Sequence, residues 1–247
     1  MNILITGNST GIGKLLTDRF TSTGNVVYGL SRSSEYKCDV TNYEEVEGWS
    51  RYFLDADIAI DALITCAGTQ GEIGKLSKTD PEAWAETIAI NLNGTYNAIR
   101  AFYPIMDKAR RAKIVCLAGG GSANGRAYFS AYAAAKTGVV RLVESMALEE
   151  QDLDINAVAP GAIKTAIIDG PLKAGPEVIG EAEYKKALKQ SQQGDDPEYV
   201  LSLIEWLVSE KSDGVSGRLI SAIWDDWRNV DKTTLSEEKF KLRRIVQ

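Results

Sequence analysis

Short apolar runs rich in valine, isoleucine and leucine alternate along this chain with longer stretches whose apolar residues recur at helical spacing. A run buried on both faces belongs to the interior of a parallel sheet, and an amphipathic stretch between two such runs makes the crossover. The pattern predicts strands over residues 2–6, 26–30, 36–39, 60–66, 113–117, 154–158 and 218–223. Helices are expected over residues 11–22, 43–54, 81–109, 130–150 and 197–209. Asp80-Pro81 and Asp196-Pro197 each offer an N-cap with proline in the first turn.

These alternations define the expected fold class as α/β, a Rossmann-like, doubly wound parallel sheet of seven strands. Only eight residues separate Leu30 from Asp39, too few for a crossover helix, so the helix between the second and third strands should be missing. Residues 166–195 contain Gly170-Pro171 and Gly175-Pro176 and show weak periodicity, which suits a segment that covers a substrate. No linker or repeat divides the chain, so residues 1–247 are read as one domain. Residues 224–247 form a C-terminal tail opened by Trp224-Asp225-Asp226-Trp227-Arg228, expected to dock on the core or a neighbouring subunit and to close one side of the pocket.

Composition narrows the function. The net charge of −6 argues against nucleic acid as a partner. No apolar run reaches the roughly 18 residues of a membrane span, and the first residues read as a strand rather than a signal peptide, so a cytoplasmic protein is expected. Cys38, Cys66 and Cys116 match no metal spacing and suit buried thiols in a reducing compartment. The chain has no histidine, which removes every mechanism that needs an imidazole base, and no metal is expected.

The first strand runs into Thr6-Gly7-Asn8-Ser9-Thr10-Gly11-Ile12-Gly13-Lys14. Gly7 permits a tight turn, Gly11 lets backbone N–H groups approach a pyrophosphate, and Gly13 lets the helix pack closely. With 22 glycines the spacing alone is weak; its place at the first strand–helix junction gives it weight. After the second strand, Ser31 and Arg32 suit a ribose 2′-phosphate better than a 2′-hydroxyl, so NADP(H) is preferred, with NAD(H) compatible. Asp39-Val40 should border the adenine, and Cys66-Ala67-Gly68 should let the cofactor pass small side chains.

Tyr132 and Lys136 stand at i and i+4, on one face of a helix. A cation beside a phenol favours the phenolate, so Lys136 is expected to draw the Tyr132 pKa down and make it an acid/base. With ten tyrosines in the chain this spacing is close to chance, and its strength comes from order. It follows the glycine turn and precedes Pro160-Gly161-Ala162-Ile163-Lys164-Thr165.

Taken together, the chain resembles a short-chain dehydrogenase/reductase of the single-domain type, over residues 1–222. The family's T-G-x3-G-x-G falls on Thr6 to Gly13 and its D-V on Asp39-Val40. Its N-A-G is altered to Cys66-Ala67-Gly68, its Y-x3-K is Tyr132 and Lys136, and its P-G-x3-T is Pro160, Gly161 and Thr165. The resemblance implies that Asn91 holds a proton-relay water and that Lys136 reaches the nicotinamide ribose. It also implies that the loop with Ile163 and Thr165 borders the carboxamide and phosphates, and that the long helices at 81–109 and 130–150 make a homodimer or homotetramer.

One position departs from the pattern. The family's serine, which polarises the carbonyl, is replaced by Gly119, beside Ala118. Ser122 is the nearest hydroxyl, and it either folds back towards the nicotinamide or is an ordinary loop serine; Ser130 reads as a helix N-cap. Lys164, Lys173, Lys185, Lys186 and Lys189 suit a phosphorylated or carboxylated substrate, or a solvated face balanced by Glu177, Glu181 and Glu183. The expected function is NADP(H)-dependent interconversion of a carbonyl and an alcohol, on a small polar, sugar-like molecule or a fatty-acyl ketone. The alternative is a catalytically impaired NADP(H)-binding sensor, suggested by Gly119.

Overall fold

The computed structural model describes residues 1–230 and 239–243. Seven strands form one parallel sheet: β1 (Asn2–Thr6), β2 (Val26–Ser31), β3 (Tyr36–Lys37), β4 (Ala62–Thr65), β5 (Lys113–Leu117), β6 (Asp154–Ala159) and β7 (Arg218–Ser221). Their order is β3-β2-β1-β4-β5-β6-β7. The chain winds outward from β1 to β3, then returns to place β4 on the other side of β1. That reversal opens a crevice at the C-terminal ends of β1 and β4, where such sheets bind ligands.

The central strands read as continuous apolar runs because both their faces are covered. In β1, Leu4 joins a core layer with Leu63, Ile114 and Ile155, while Ile3 and Ile5 join the opposite layer with Ile64, Val115 and Val158. The first layer lies under α2 (Tyr43–Asp55), α4 (Gly94–Phe102) and α5 (Ser130–Glu149); the second lies under α1 (Gly11–Ser22) and α8 (Pro197–Leu207). The Asn42, Asp80 and Asp196 side chains accept hydrogen bonds from the first N–H groups of α2, α3 (Pro81–Ile88) and α8. Both aspartate–proline signals therefore open helices.

Several boundaries differ from expectation. The helix foreseen over 81–109 is three pieces: α3, a π-helical turn at Ala89–Asn93, and α4, which ends where Pro104 enters a short 3₁₀ turn. The third strand keeps two residues, and no helix separates it from β2. The fourth begins at Ala62, because Ile60 bridges Met106 instead. Residues 166–195 are mostly helical, with α6 (Asp169–Ala174) and α7 (Pro176–Gln192). Gly180, at φ 77°, kinks α7, so its two halves present different faces and no single period runs through the segment.

The β7 edge is covered by residues 239–243: Leu219 N donates to Phe240 O at 2.7 Å and Leu242 N donates to Glu144 Oε1 at 2.9 Å. In the tail, Trp227 is buried and its ring lies 5.8 Å from that of Trp206, whereas Trp224 is 86% exposed. Residues 231–238 and 244–247 of that tail lie outside the described residues.

Candidate active site

The crevice is a cleft of about 1350 Å³ that runs from the glycine turn to Tyr132 and Lys136. Gly7 and Gly11 hold φ of 68° and 56°, the left-handed region that glycine adopts without strain. A Cβ on Gly7 would meet Ala67 N at 2.6 Å, and one on Gly13 would meet Gly7 O at 2.3 Å, so the turn closes only with glycine at both positions. Gly13 thus packs on the turn itself. Ser9, Thr10 and Ile12 line the cleft; the Asn8 side chain does not, because it turns beneath β2 into the space left by Gly29. Thr10 makes no side-chain cap and the first turn of α1 has no acidic residue. Its N–H groups and positive dipole end therefore remain available to an anion.

Ser31, Arg32, Asp39 and Val40 line the adjoining end of the cleft. Arg32 is exposed, and Asp39 is held below the usual carboxylate range by hydrogen bonds from Thr41, with Arg32 adding attraction. Cys66, Ala67 and Gly68 form the wall after β4. Pro160, Gly161, Ile163 and Thr165 form the facing wall after β6, with the Thr165 methyl placed 3.4 Å from where a Gly11 Cβ would be. Asp195 closes this loop: its Oδ2 accepts from Ala162 N at 2.6 Å while its own N–H donates to Ala162 O.

The proton-handling residues meet at the other end. Tyr132 and Lys136 are buried on the inner face of α5. Lys136 Nζ donates to Leu117 O at 2.8 Å, and burial pulls its pKa down to about 8. Lys136 Nζ is 5.9 Å from the centre of the Tyr132 ring. The expectation that this cation lowers the phenol pKa is corrected here. Burial raises the Tyr132 pKa, and the one charge that opposes the rise is that of Arg126. Tyr132 is accordingly held as the protonated phenol.

Asn91 sits in the π-helical turn and is fully buried. Its Nδ2 donates to Thr69 O and Thr87 O, and its Oδ1 accepts from Thr69 N. Its side chain is thus committed to the β4–α3 connection. A Cβ on Gly68 would lie 2.8 Å from Asn91 Oδ1 and 3.5 Å from Lys136 Nζ, which brings the three residues together.

Ser122 is buried, and its hydroxyl donates to Gly119 O at 2.8 Å. That bond closes the glycine loop, while Ser122 itself lines the cleft. Ser130 is not an N-cap: it is the first residue of α5, and its Oγ accepts from Trp84 Nε1. The hydroxyl is spent in tying α3 to α5.

Sequence reasoning missed Arg126, Gln70, Gln190 and Asp195, all of which line the cleft. Arg126 pairs with Glu183 of α7, joining the glycine loop to the covering segment. Gln70 Oε1 is buried without a hydrogen-bond partner. None carries a local sequence signal; the partners of Arg126 and Asp195, Glu183 and Ala162, are brought from distant parts of the chain.

A family model described as Enoyl-(Acyl carrier protein) reductase matches residues 10–222. A 3-oxoacyl-[acyl-carrier-protein] reductase of Thermotoga maritima is 28% identical over 239 residues, spanning 88% of this chain and 94% of that protein. The aldohexose dehydrogenase of Thermoplasma acidophilum superposes with a TM-score of 0.77 at 27% identity, over 89% of this chain and 91% of that one. An actinorhodin polyketide ketoreductase solved with NADPH shares the fold, with a TM-score of 0.78 at 22% identity over 89% and 94% of the two chains. With its sheet order, its glycine turn and this match along most of its length, the chain belongs to the short-chain dehydrogenase/reductase family of oxidoreductases.

Proposed function

We propose that this protein interconverts a carbonyl and an alcohol with NADP(H), Tyr132 being the acid/base. One observation carries the reading: a single cleft joins an uncapped, glycine-closed helix N-terminus to a buried tyrosine and lysine. The residues fit a dinucleotide. The Gly7–Gly13 turn leaves room and free N–H groups for a pyrophosphate, Ser31 and Arg32 suit the 2′-phosphate, and Cys66–Gly68 with Pro160–Thr165 border the rest. The dinucleotide supplies the hydride.

The remaining chemistry falls to the side chains. Tyr132, held protonated by burial, gives its proton to the oxygen of a carbonyl being reduced and receives one from an alcohol being oxidised. Lys136 fixes the inner wall beside Tyr132 through its bond to Leu117 O. Asn91 holds the wall behind Gly68 by its bonds to Thr69 and Thr87. Gln70, Lys186 and Gln190 make the covering side polar, which supports a small polar, sugar-like substrate. Ser122 does not supply the missing donor in this arrangement.

We read the chain as one catalytic unit, because a single sheet runs from Asn2 to Ser221. All three cysteines are free, in keeping with a reducing, cytoplasmic setting. Exposed Tyr96 and Leu148 on α4 and α5 suit a homodimer or homotetramer.

The test is NADPH oxidation over a panel of keto-sugars, small ketones and β-keto thioesters, with Tyr132→Phe beside the wild type. Tyr132→Phe should lose about 10²–10⁴-fold in rate while still binding NADPH by fluorescence. Undiminished turnover in Tyr132→Phe would overturn the mechanism. NADPH binding with no turnover across the panel would favour the sensor.

A further inference from the structure

Between them, Gly119 and Ser122 leave the reacting carbonyl without the hydroxyl donor that usually faces the tyrosine. Gly119 has no side chain, and Ser122 spends its proton on Gly119 O. The same loop carries a stronger donor. Gly121, at φ 102°, draws the loop onto the start of α5: a Cβ there would lie 3.0 Å from Ala133 Cβ and 3.5 Å from Arg126 Cβ. The base of the Arg126 side chain is thereby brought close to the start of α5, and both Arg126 and Tyr132 line the cleft.

The guanidinium is held in place from two sides. Nε and Nη2 donate to Glu183 Oε1 at 3.0 and 2.7 Å, and the group lies 3.7 Å over the Phe129 ring. A guanidinium has five N–H donors, and these contacts leave others for a ligand. It is also the cation whose charge acts on the Tyr132 phenol.

We propose that Arg126 is the residue that polarises the substrate carbonyl, donating to its oxygen in place of the absent serine. This rests on the reading of Tyr132 given above and assigns the partner that reading lacks. In reduction the carbonyl carbon takes the hydride that the dinucleotide supplies, and the C=O π pair moves to oxygen. That oxygen takes the Tyr132 proton, which solvent replaces. Arg126 keeps its own protons and hydrogen-bonds the oxygen as its charge grows, so its contribution is greatest in the transition state. Glu183 fixes the fork and keeps part of its charge balanced when the cleft is empty.

The experiment compares Arg126→Ala, Arg126→Gln, Glu183→Gln and Lys186→Ala with the wild type, following kcat, KM, NADPH affinity and thermal melting. Either Arg126 variant should lose about 10²–10³-fold in kcat with NADPH affinity unchanged. Added guanidinium ion should restore part of the Arg126→Ala rate. Glu183→Gln keeps an acceptor for the fork and should stay within about fivefold, the size of a solvent-touched ion pair. Arg126 variants near the wild-type rate would overturn the proposal. So would an equal loss in Glu183→Gln without guanidinium rescue, which would make the pair a lid fastening only. A selective loss in Lys186→Ala would move the role to the covering segment. Tyr132→Phe in the same assay separates the two levels: if it is inactive while Arg126→Ala is unimpaired, only the Arg126 assignment fails. If Arg126→Ala does not fold, Arg126→Gln decides.

Discussion

A Cβ at position 119 would lie 2.5 Å from Tyr132 Oη, so the phenol occupies the space that any side chain at 119 would need. Glycine at this position is therefore part of how Tyr132 is seated. A Gly119→Ala substitution should push the phenol aside, costing about 1–3 kcal/mol of stability by overpacking. A displacement of about 1 Å should lower kcat by about 10²-fold. Thermal melting and steady-state kinetics on the same variant check both. Gly119→Ser should not act as a repair, because its Cβ meets the same oxygen; a gain in rate would reject this account.

Lys136 links stability to pH. Burial lowers its pKa from 10.5 to about 8, so between these values the unfolded chain binds more protons than the folded one. Stability from this group therefore rises as pH climbs through that window, and is lost as pH falls through about 8. The expected size is about 3 kcal/mol at most. Urea unfolding of wild type and Lys136→Met from neutral to alkaline pH should show the difference between them shifting in favour of the wild type. A constant difference would reject the lowered pKa.

Tyr132 shifts the other way, and this bears on reaction direction. A phenol kept protonated by burial is ready to donate, so reduction should stay level through neutral pH. Alcohol oxidation needs the phenolate and should accelerate as pH rises. Rate–pH profiles in both directions test this; an oxidation rate already level below neutrality would contradict it.

Arg32 is exposed just after β2 and lines the cleft. Replacing it with alanine should weaken NADPH binding by about tenfold and NADH binding much less, since one charge-assisted contact to phosphate is at stake. Fluorescence titration with the two cofactors measures it, and equal losses would reject the phosphate contact.

The two tryptophans of the tail should separate in their effects. Trp227→Ala removes a buried ring packed beside Trp206 and should cost about 3–5 kcal/mol. Trp224→Ala removes an exposed ring at the mouth of the cleft and should change KM rather than the melting temperature.

Much of this architecture was legible from local signals. The apolar runs located the central strands, because a strand covered on both faces must be apolar throughout; the edge strand β3, with Tyr36 half-buried and Lys37 exposed, is not such a run. Asp80 and Asp196 marked helix starts through hydrogen bonds that span two or three residues. The glycine turn was readable because its backbone angles and close approach exclude a Cβ. The break at Ala89–Asn93 was not readable, since Asn91 is held by Thr69 in another connection. The kink at Gly180 likewise hid two helices within one weakly periodic segment.

By itself, then, the sequence determined the sheet, the phosphate-suited turn and the spacing of Tyr132 and Lys136, all set by periodicity and backbone sterics over a few residues. Tertiary structure alone decided that Asn8 turns away from the cleft, that Ser122 spends its proton on Gly119, and that Arg126 is pinned by Glu183, 57 residues away. It also reversed the expected shift of the Tyr132 pKa. That shift depends on how much solvent packing removes from the phenol, and on which charges packing brings near; neither is written in the spacing of two residues on a helix.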